Sequence, residues 1–375
     1  SRLPGYWSGG TIHIIANNQL GYTTNPVDSR STIFASDLAK GFKIPIVHVN
    51  ADDPEACILA ARTAFAFQEE FERDFVIDLI GYRRYGHNEG DEPGFTQPTL
   101  YKTIEQHPTA RALYGEKLVA RGVLKAGEPE AMLRQQMEKL QGIFEKLDPE
   151  RDLIDQRPTP PAPGIARRVK TSVPADRLRE LNQALLTLPA DFHLHSKLQR
   201  VLKRRQEMNE HGSAGDIDWP QAEDLAMASI LAEGIPVRMT GQDVQRGTFS
   251  QRHAVFHDHE TGEPFIPLQK LPQSKAAYEI HNSPLSEQAV LGFEFGYNVQ
   301  APSRLVVWEA QYGDFDNGAQ VIIDEFIVSA RAKWGQTPSL VLLLLHGYEG
   351  AGPDHSSARL ERFLQMAADT NMRVA

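Results

Sequence analysis

The sequence predicts two α/β domains with parallel sheets, joined by a helical and proline-rich linker. Three observations carry this. Apolar runs of strand length alternate with longer amphipathic segments over residues 11–80, and the alternation resumes after residue 215. Between these regions the chain is charged and of helical period over 98–145. It then holds the run Arg157-Pro158-Thr159-Pro160-Pro161-Ala162-Pro163-Gly164, a semi-rigid extended segment. Finally, the strand-like runs end in unusually polar loops, and open parallel sheets bind ligands beyond the carboxyl ends of their strands.

In chain order, Thr11–Ala16 reads as a buried strand that ends in Asn17-Asn18-Gln19-Leu20-Gly21. A short helix follows at Ser36–Phe42, then a strand at Ile44–Val49. Pro54 opens an amphipathic helix to about Arg73, because proline is preorganised for a first helical turn. The strand Phe75–Ile80 runs into a loop containing Arg83, Arg84 and His87. Beyond 98–145, helices are expected at Ala175–Thr187 and Ser196–Glu210. The second unit has a helix Gln221–Glu233, a strand Pro236–Met239, a helix entered at Glu287, a strand Arg304–Trp308, a helix Gln320–Ala332, a strand Ser339–Leu345 and a helix Ala358–Asp369. One site lying between two such loaded edges, within a chain or across a dimer, is the economical expectation.

At 375 residues there is chain enough for two or three cored domains. The net charge of −10 argues against nucleic acid as the main partner. A single cysteine, Cys57, excludes an internal disulfide and fits a reducing compartment. The apolar run Leu340–Leu345 is far too short to span a bilayer. The chain starts at Ser1 without Met and stops at Val374-Ala375 within a strand-like run, so it reads as an internal part of a longer protein.

Several residues carry chemistry. Glu287 follows Ser286 at the start of an apolar helix. A carboxyl group buried there would have its acid strength lowered toward proton-transfer use, although a first-turn acid behind a serine cap is also a common helix start. Asn18 and the Leu20 carbonyl are oxygen donors that suit magnesium, and an asparagine-rich turn is the plainer use. His87 could meet a phosphate or carboxylate, or be a solvated loop histidine. His346 and His355 flank a glycine-rich loop that ends at a Ser-Ser helix start, where negative charge is favoured. His253, His257 and His259 make a poor zinc set, because Asp258 and Thr261-Gly262-Glu263 read as an exposed hairpin.

Long runs then match in order. Asn17–Thr24, His48–Ala56, Tyr82–Glu89, Gly241-Gln242-Asp243 with Arg246–Phe249, Trp308–Phe315 and His346–Ser357 resemble the first, decarboxylating component of the 2-oxoglutarate dehydrogenase complex. The likeness weakens only over about 105–215. It implies a transketolase-like thiamin diphosphate-binding fold: residues 1–150 as the later part of the diphosphate- and magnesium-binding domain, 151–214 as linker and helices, and 215–375 as a pyrimidine-binding domain. It implies Mg2+ held by Asn18 and the Leu20 carbonyl, with a Gly-Asp partner motif expected before Ser1.

By the same resemblance Glu287 pairs with the cofactor's aminopyrimidine and promotes its imino form. Leu285 is the bulky residue under the bent cofactor, and Phe315, with Tyr312 as rival, stacks on the pyrimidine. His87 resembles a histidine of the diphosphate and substrate loop, and His355 one used in substrate binding and in reductive acyl transfer to lipoyl groups, with His346 a further active-site candidate. The implied partners are a second copy of the chain in a homodimer, a lipoyl-bearing succinyltransferase core and a small 2-oxo acid, with no nucleic acid and no membrane. The implied location is the bacterial cytoplasm or, in a eukaryote, the mitochondrial matrix. Action on 2-oxoadipate, one methylene longer, and a catalytically silent assembly subunit remain the alternatives.

Overall fold

The structure is a computed structural model that describes residues 3–152, 162, 164–211, 217–347, 352–368 and 371–375. Most of the proline run 157–164 therefore lies outside the described residues. The chain divides into two compact units, residues 1–154 and 155–375.

The first unit is built on three parallel strands, β1 (Ile12–Asn17), β2 (Ile46–Asn50) and β3 (Phe75–Ile80), in the spatial order β1-β3-β2. The register pairs Asn17 and Asn50 both with Ile80, so all three carboxyl ends finish level. The segment expected as a helix at Ser36–Phe42 is a 3-10 helix, Ala35–Phe42. Helix α1 (Pro54–Phe71) starts where Asp53 accepts a hydrogen bond from the Ala56 N–H and Pro54 occupies the first turn. It buries Ala60 and Ala64, one turn apart, against Val49, Phe75 and Ile77. Three helices follow: α2 (Pro98–Gln106), α3 (Ala110–Ala120) and α4 (Glu128–Phe144), then the single turn α5 (Pro149–Asp152).

The second unit opens with the short α6 (Ile165–Arg168), then α7 (Ala175–Leu185), α8 (Ser196–His211) and α9 (Trp219–Ala232). Leu181 and Leu185 of α7 share one core with Leu225, Ala228 and Leu231 of α9 and with Val237 and Met239. The sheet has four parallel strands in the order β7-β4-β8-β9, formed by β4 (Val237–Gly241), β7 (Tyr278–Asn282), β8 (Leu305–Glu309) and β9 (Leu340–Leu343). A small antiparallel pair, β5 (Phe256–His257) and β6 (Pro264–Phe265), is the hairpin expected around Asp258. Asp258 shapes its turn by accepting backbone hydrogen bonds from Glu260 and Thr261.

Three elements differ from expectation. Strand β7 was not foreseen; Tyr-Glu-Ile-His-Asn alternates as an edge strand does, but its polar positions hide it. The helix expected over Gln320–Ala332 is broken. A 3-10 helix, Gly313–Ala319, leads into α11 (Gln320–Ile322), a π-helical stretch Ile323–Ile327 and α12 (Ala330–Trp334). Ile323 and Ile327 bound the π-helical stretch, and both are buried. The last helix, α13, is only Leu360–Met366, because Ser357 and Ala358 are drawn into loop contacts described below.

Candidate active site

In the first unit, the loop after β1 turns sharply. Asn18 N–H donates to the Ala16 carbonyl at 2.9 Å, and the Asn18 side-chain oxygen accepts from Leu20 N–H at 3.1 Å. Gln19 and Tyr22 hold left-handed backbone angles, φ 59° and 61°, a conformation that costs non-glycine residues energy and that recurs in functional loops. The Gln19 amide reaches the Gly81 carbonyl at 3.2 Å, which ties this loop to the one after β3.

His87 packs edge-on against Tyr22 with centroids 4.9 Å apart, so the structure brings His87 to the Asn18 loop. Asp91 accepts the His87 backbone N–H at 2.7 Å, and His87 is exposed. The two arginines differ as adjacent side chains must. Arg84 is spent on the Tyr82 hydroxyl and the His107 carbonyl, both at 2.7 Å, and Arg83 on the His87 carbonyl at 3.1 Å. A cleft of about 380 Å³ opens here, lined by Asn17, Asn18, Asp52, Tyr82 and Arg84.

Asn18 and Leu20 fit a hard cation in kind, since both offer neutral oxygens. Two such oxygens would be only part of a six-oxygen shell, and among the described residues no group of three or more His, Cys, Asp or Glu could hold a metal ion. The zinc reading of the three histidines fails on geometry as well. His253 bonds to Ser250 Oγ at 3.1 Å, His257 meets the Gly262 carbonyl, and His259 packs on His195.

In the second unit, Glu287 is the first residue of α10 (Glu287–Gln300), which is capped by Ser286 accepting from Ala289 N–H. The expectation of a buried carboxyl is corrected: Glu287 is half-buried, because a first-turn side chain on the sheet's rim has no core over it. Its Oε1 accepts from Gln242 Nε2 at 3.4 Å, from the loop that leaves β4. Its Oε2 faces Gly318, where a Cβ would come to 3.4 Å.

Helix α10 is locked in rotation two turns further on. Glu294, fully buried, takes two hydrogen bonds from the Arg238 guanidinium of β4, at 2.7 and 3.0 Å. The guanidinium also reaches Glu279 of β7 at 3.1 Å and lies over the Tyr297 ring. A charge pair so fully bonded on one side of the helix fixes where Glu287 emerges on the rim. Leu285, just before the cap, is half-buried, with its N–H on Ser283 Oγ.

The 3-10 helix Gly313–Ala319 joins Glu287 to an aromatic cluster. At its start the Tyr312, Phe315 and His355 rings meet edge-on, with centroids 4.5 Å between Tyr312 and His355 and 5.2 Å between Phe315 and His355. Phe249 closes the group against Tyr312 at 5.6 Å. The loop carrying His355 is held there by Asp314, which is buried and accepts the Ser357 N–H on both oxygens at 3.1 and 3.0 Å. Gly313 N–H bonds to the Leu345 carbonyl, and a side chain at Gly313 would overlap Ala358. His346 Nδ1 accepts from Ala358 N–H at 3.0 Å, so that ring clamps the loop. Residues 348–351, within the run that resembles the family, lie outside the described residues.

Sequence reasoning thus named Tyr312, Phe315 and His355, which the structure gathers. It did not single out Gln242, Gly318 or Asp314. Gln242 and Asp314 lie within runs that carry the family resemblance, while Gly318 was signalled only by its place in the polar stretch that follows a strand.

The family model described as dehydrogenase E1 component matches residues 2–152, and the one described as transketolase, pyrimidine binding domain, matches 215–375. The chain is 58% identical over 377 residues to the 2-oxoglutarate dehydrogenase E1 component of Geobacillus sp. (strain WCH70), covering 100% of this chain and 39% of that protein. It is 56% identical over 377 residues to that of Geobacillus kaustophilus (strain HTA426), covering 100% and 40%. It is 54% identical over 379 residues to that of Bacillus cereus (strain B4264), covering 100% and 39%. The chain is a member of the thiamin diphosphate-dependent E1 dehydrogenases, with a transketolase-like fold. Within that class it belongs to the 2-oxoglutarate dehydrogenase E1 family, and it spans about two-fifths of the length of these curated relatives. Among the described residues no helix is long and apolar enough to cross a membrane.

Proposed function

We propose that the protein is the decarboxylating component for 2-oxoglutarate: it binds thiamin diphosphate, removes the carboxyl group as carbon dioxide and passes the succinyl group to a lipoyl group on a succinyltransferase core. The observation that carries this reading is Glu287, capped by Ser286, touched by Gln242 and facing the gap at Gly318 on a pyrimidine-binding domain. The names of the relatives support the substrate.

Bound thiamin diphosphate would supply the electron sink that decarboxylation of a 2-oxo acid requires. Glu287 would share a proton with a ring nitrogen of the aminopyrimidine. Leu285 would support the cofactor's bend, and Phe315 or Tyr312 would flank the ring. His355 would contact the substrate and donate a proton as the acyl group leaves for the lipoyl sulfur, with His87 at the diphosphate and substrate loop and His346 holding the His355 loop closed. Asn18 and the Leu20 carbonyl would be two of the ligands of Mg2+. Residues 1–150 would complete the diphosphate-binding domain, 151–214 would connect, and 215–375 would form the pyrimidine domain. The working protein would be a homodimer in the bacterial cytoplasm.

The test is 2-oxoglutarate-dependent reduction of an artificial electron acceptor by the full-length protein with Mg2+ and thiamin diphosphate. Glu287→Ala is expected to lower the rate at least about 100-fold. Turnover of 2-oxoadipate but not 2-oxoglutarate would sink the substrate assignment, and failure to bind the cofactor would favour a silent assembly subunit.

A further inference from the structure

Asp78 lies on β3, the central strand of the first sheet, wholly out of solvent. A buried carboxylate is costly unless its oxygens are hydrogen-bonded. Its two oxygens are bonded to different parts of the unit. Oδ2 accepts from Ser36 Oγ at 2.8 Å and lies 3.1 Å from His48 Nδ1 on β2. Oδ1 accepts from Asn17 Nδ2 at 3.3 Å. Asn17 is itself buried, ends β1, and directly precedes Asn18.

Asn17 is fixed twice. Its carbonyl still belongs to the ladder, accepting from Gly81 N–H at 3.0 Å, while its side chain is drawn to Asp78. One residue later the chain leaves the sheet in the tight turn in which Asn18 Oδ1 takes the Leu20 N–H. A short path therefore runs from a buried carboxylate through Asn17 to Asn18, whose side-chain oxygen is read as a cation ligand and also holds the Leu20 N–H.

We propose that Asp78 is the positioning residue of the cation loop: through Oδ1 it holds the Asn17 amide, and through one peptide unit it sets the direction of the Asn18 side chain. Ser36 and His48 satisfy the other oxygen and so stabilise the buried carboxylate without reaching the loop. The inference rests on the reading of Asn18 and Leu20 as Mg2+ ligands. Outer groups that orient metal ligands are typically worth about 10- to 100-fold in metal affinity, and that range sets the size of the effect.

The experiment is titration of the full-length protein with Mn2+ in the presence of thiamin diphosphate, followed by electron paramagnetic resonance of the free ion, so that binding is read without turnover. Asn17→Ser removes the bond to Oδ1 and is expected to weaken Mn2+ at least about tenfold, as is Asp78→Asn where that variant folds. Ser36→Ala removes a bond to Oδ2 only. It is expected to lower the melting temperature while keeping Mn2+ affinity within about threefold, which a purely structural role for the network would not separate. Wild-type affinity in Asn17→Ser, or an equal loss in Ser36→Ala, overturns the proposal. Asn18→Ala tests the underlying reading separately: unchanged affinity there removes the ligand assignment, whatever Asn17→Ser does.

Discussion

His355 stands edge-on against Tyr312, their ring centroids 4.5 Å apart and their planes at 84°. The two residues are 43 positions apart in the chain. They meet because Asp314 and Gly313 stitch the loop after β9 to the 3-10 helix after β8. An imidazole held by an aromatic wall has few orientations, and a proton donor is useful only when aimed.

Removing that wall gives the first prediction. Tyr312→Phe keeps the edge contact and is expected to retain near wild-type turnover of 2-oxoglutarate. Tyr312→Ala is expected to lose about 10- to 100-fold with the melting temperature little changed, since Tyr312 is only half-buried. Equal rates in the two variants would show that the ring does not orient His355.

Arg238 and Glu294 form a pair buried between β4 and α10. Breaking it on one side strands a charge in the core. Arg238→Met is expected to cost about 3–5 kcal/mol in urea unfolding, and the double variant with Glu294→Met to recover most of it. A double variant no better than the single one would mean that Arg238 acts mainly through Glu279 and the Tyr297 ring.

Asp316 is fully buried, and among the described residues neither carboxylate oxygen makes a well-formed hydrogen bond. Burial pushes its acid up to about 6, with partial relief from Arg362 and Arg359. An acid raised on folding is harmless below its unfolded value and destabilises as pH rises through the folded one. Asp316→Asn is therefore expected to be more stable than wild type near about pH 7.5, by roughly 1–3 kcal/mol, with the gap closing toward about pH 4. A gap independent of pH in that range, measured by chemical unfolding, would exclude the ionisation as its source.

Gly241 ends β4 with φ +156°, and a Cβ there would overlap the Glu309 carbonyl oxygen of β8. Gly241→Ala should force the two strands apart at the rim from which Gln242 reaches Glu287, at a cost of about 1–3 kcal/mol. Denaturant midpoints and activity are expected to fall together, and a stable but inactive protein would point to the loop alone.

The parallel α/β plan was legible because period and punctuation agree with it: Pro54 opens α1, and Phe75–Ile80 matches β3 at both ends. The interruption Ile323–Ile327 was not legible, since a π turn alters the spacing of a helix without altering its residue types. Strand β7 escaped because Glu279 and His281 look like surface residues, while in the fold Glu279 is consumed by Arg238 and Arg304. At the candidate site, strand-end position and the family likeness pointed to Asn18, Glu287 and His355. Partners chosen by three-dimensional proximity, such as Asp78 for Asn17 or Gly318 for Glu287, have no local spacing to reveal them.

The rotational lock at Glu294 and the open rim at Glu287 sit on one helix, seven residues apart. A mutational library over α10 should therefore separate along its length. Changes near Glu294 would show up as lost yield, whatever assay follows, and changes near Glu287 as full yield of an idle protein. Scoring soluble expression and turnover side by side would map, residue by residue, where the scaffold ends and the chemistry begins.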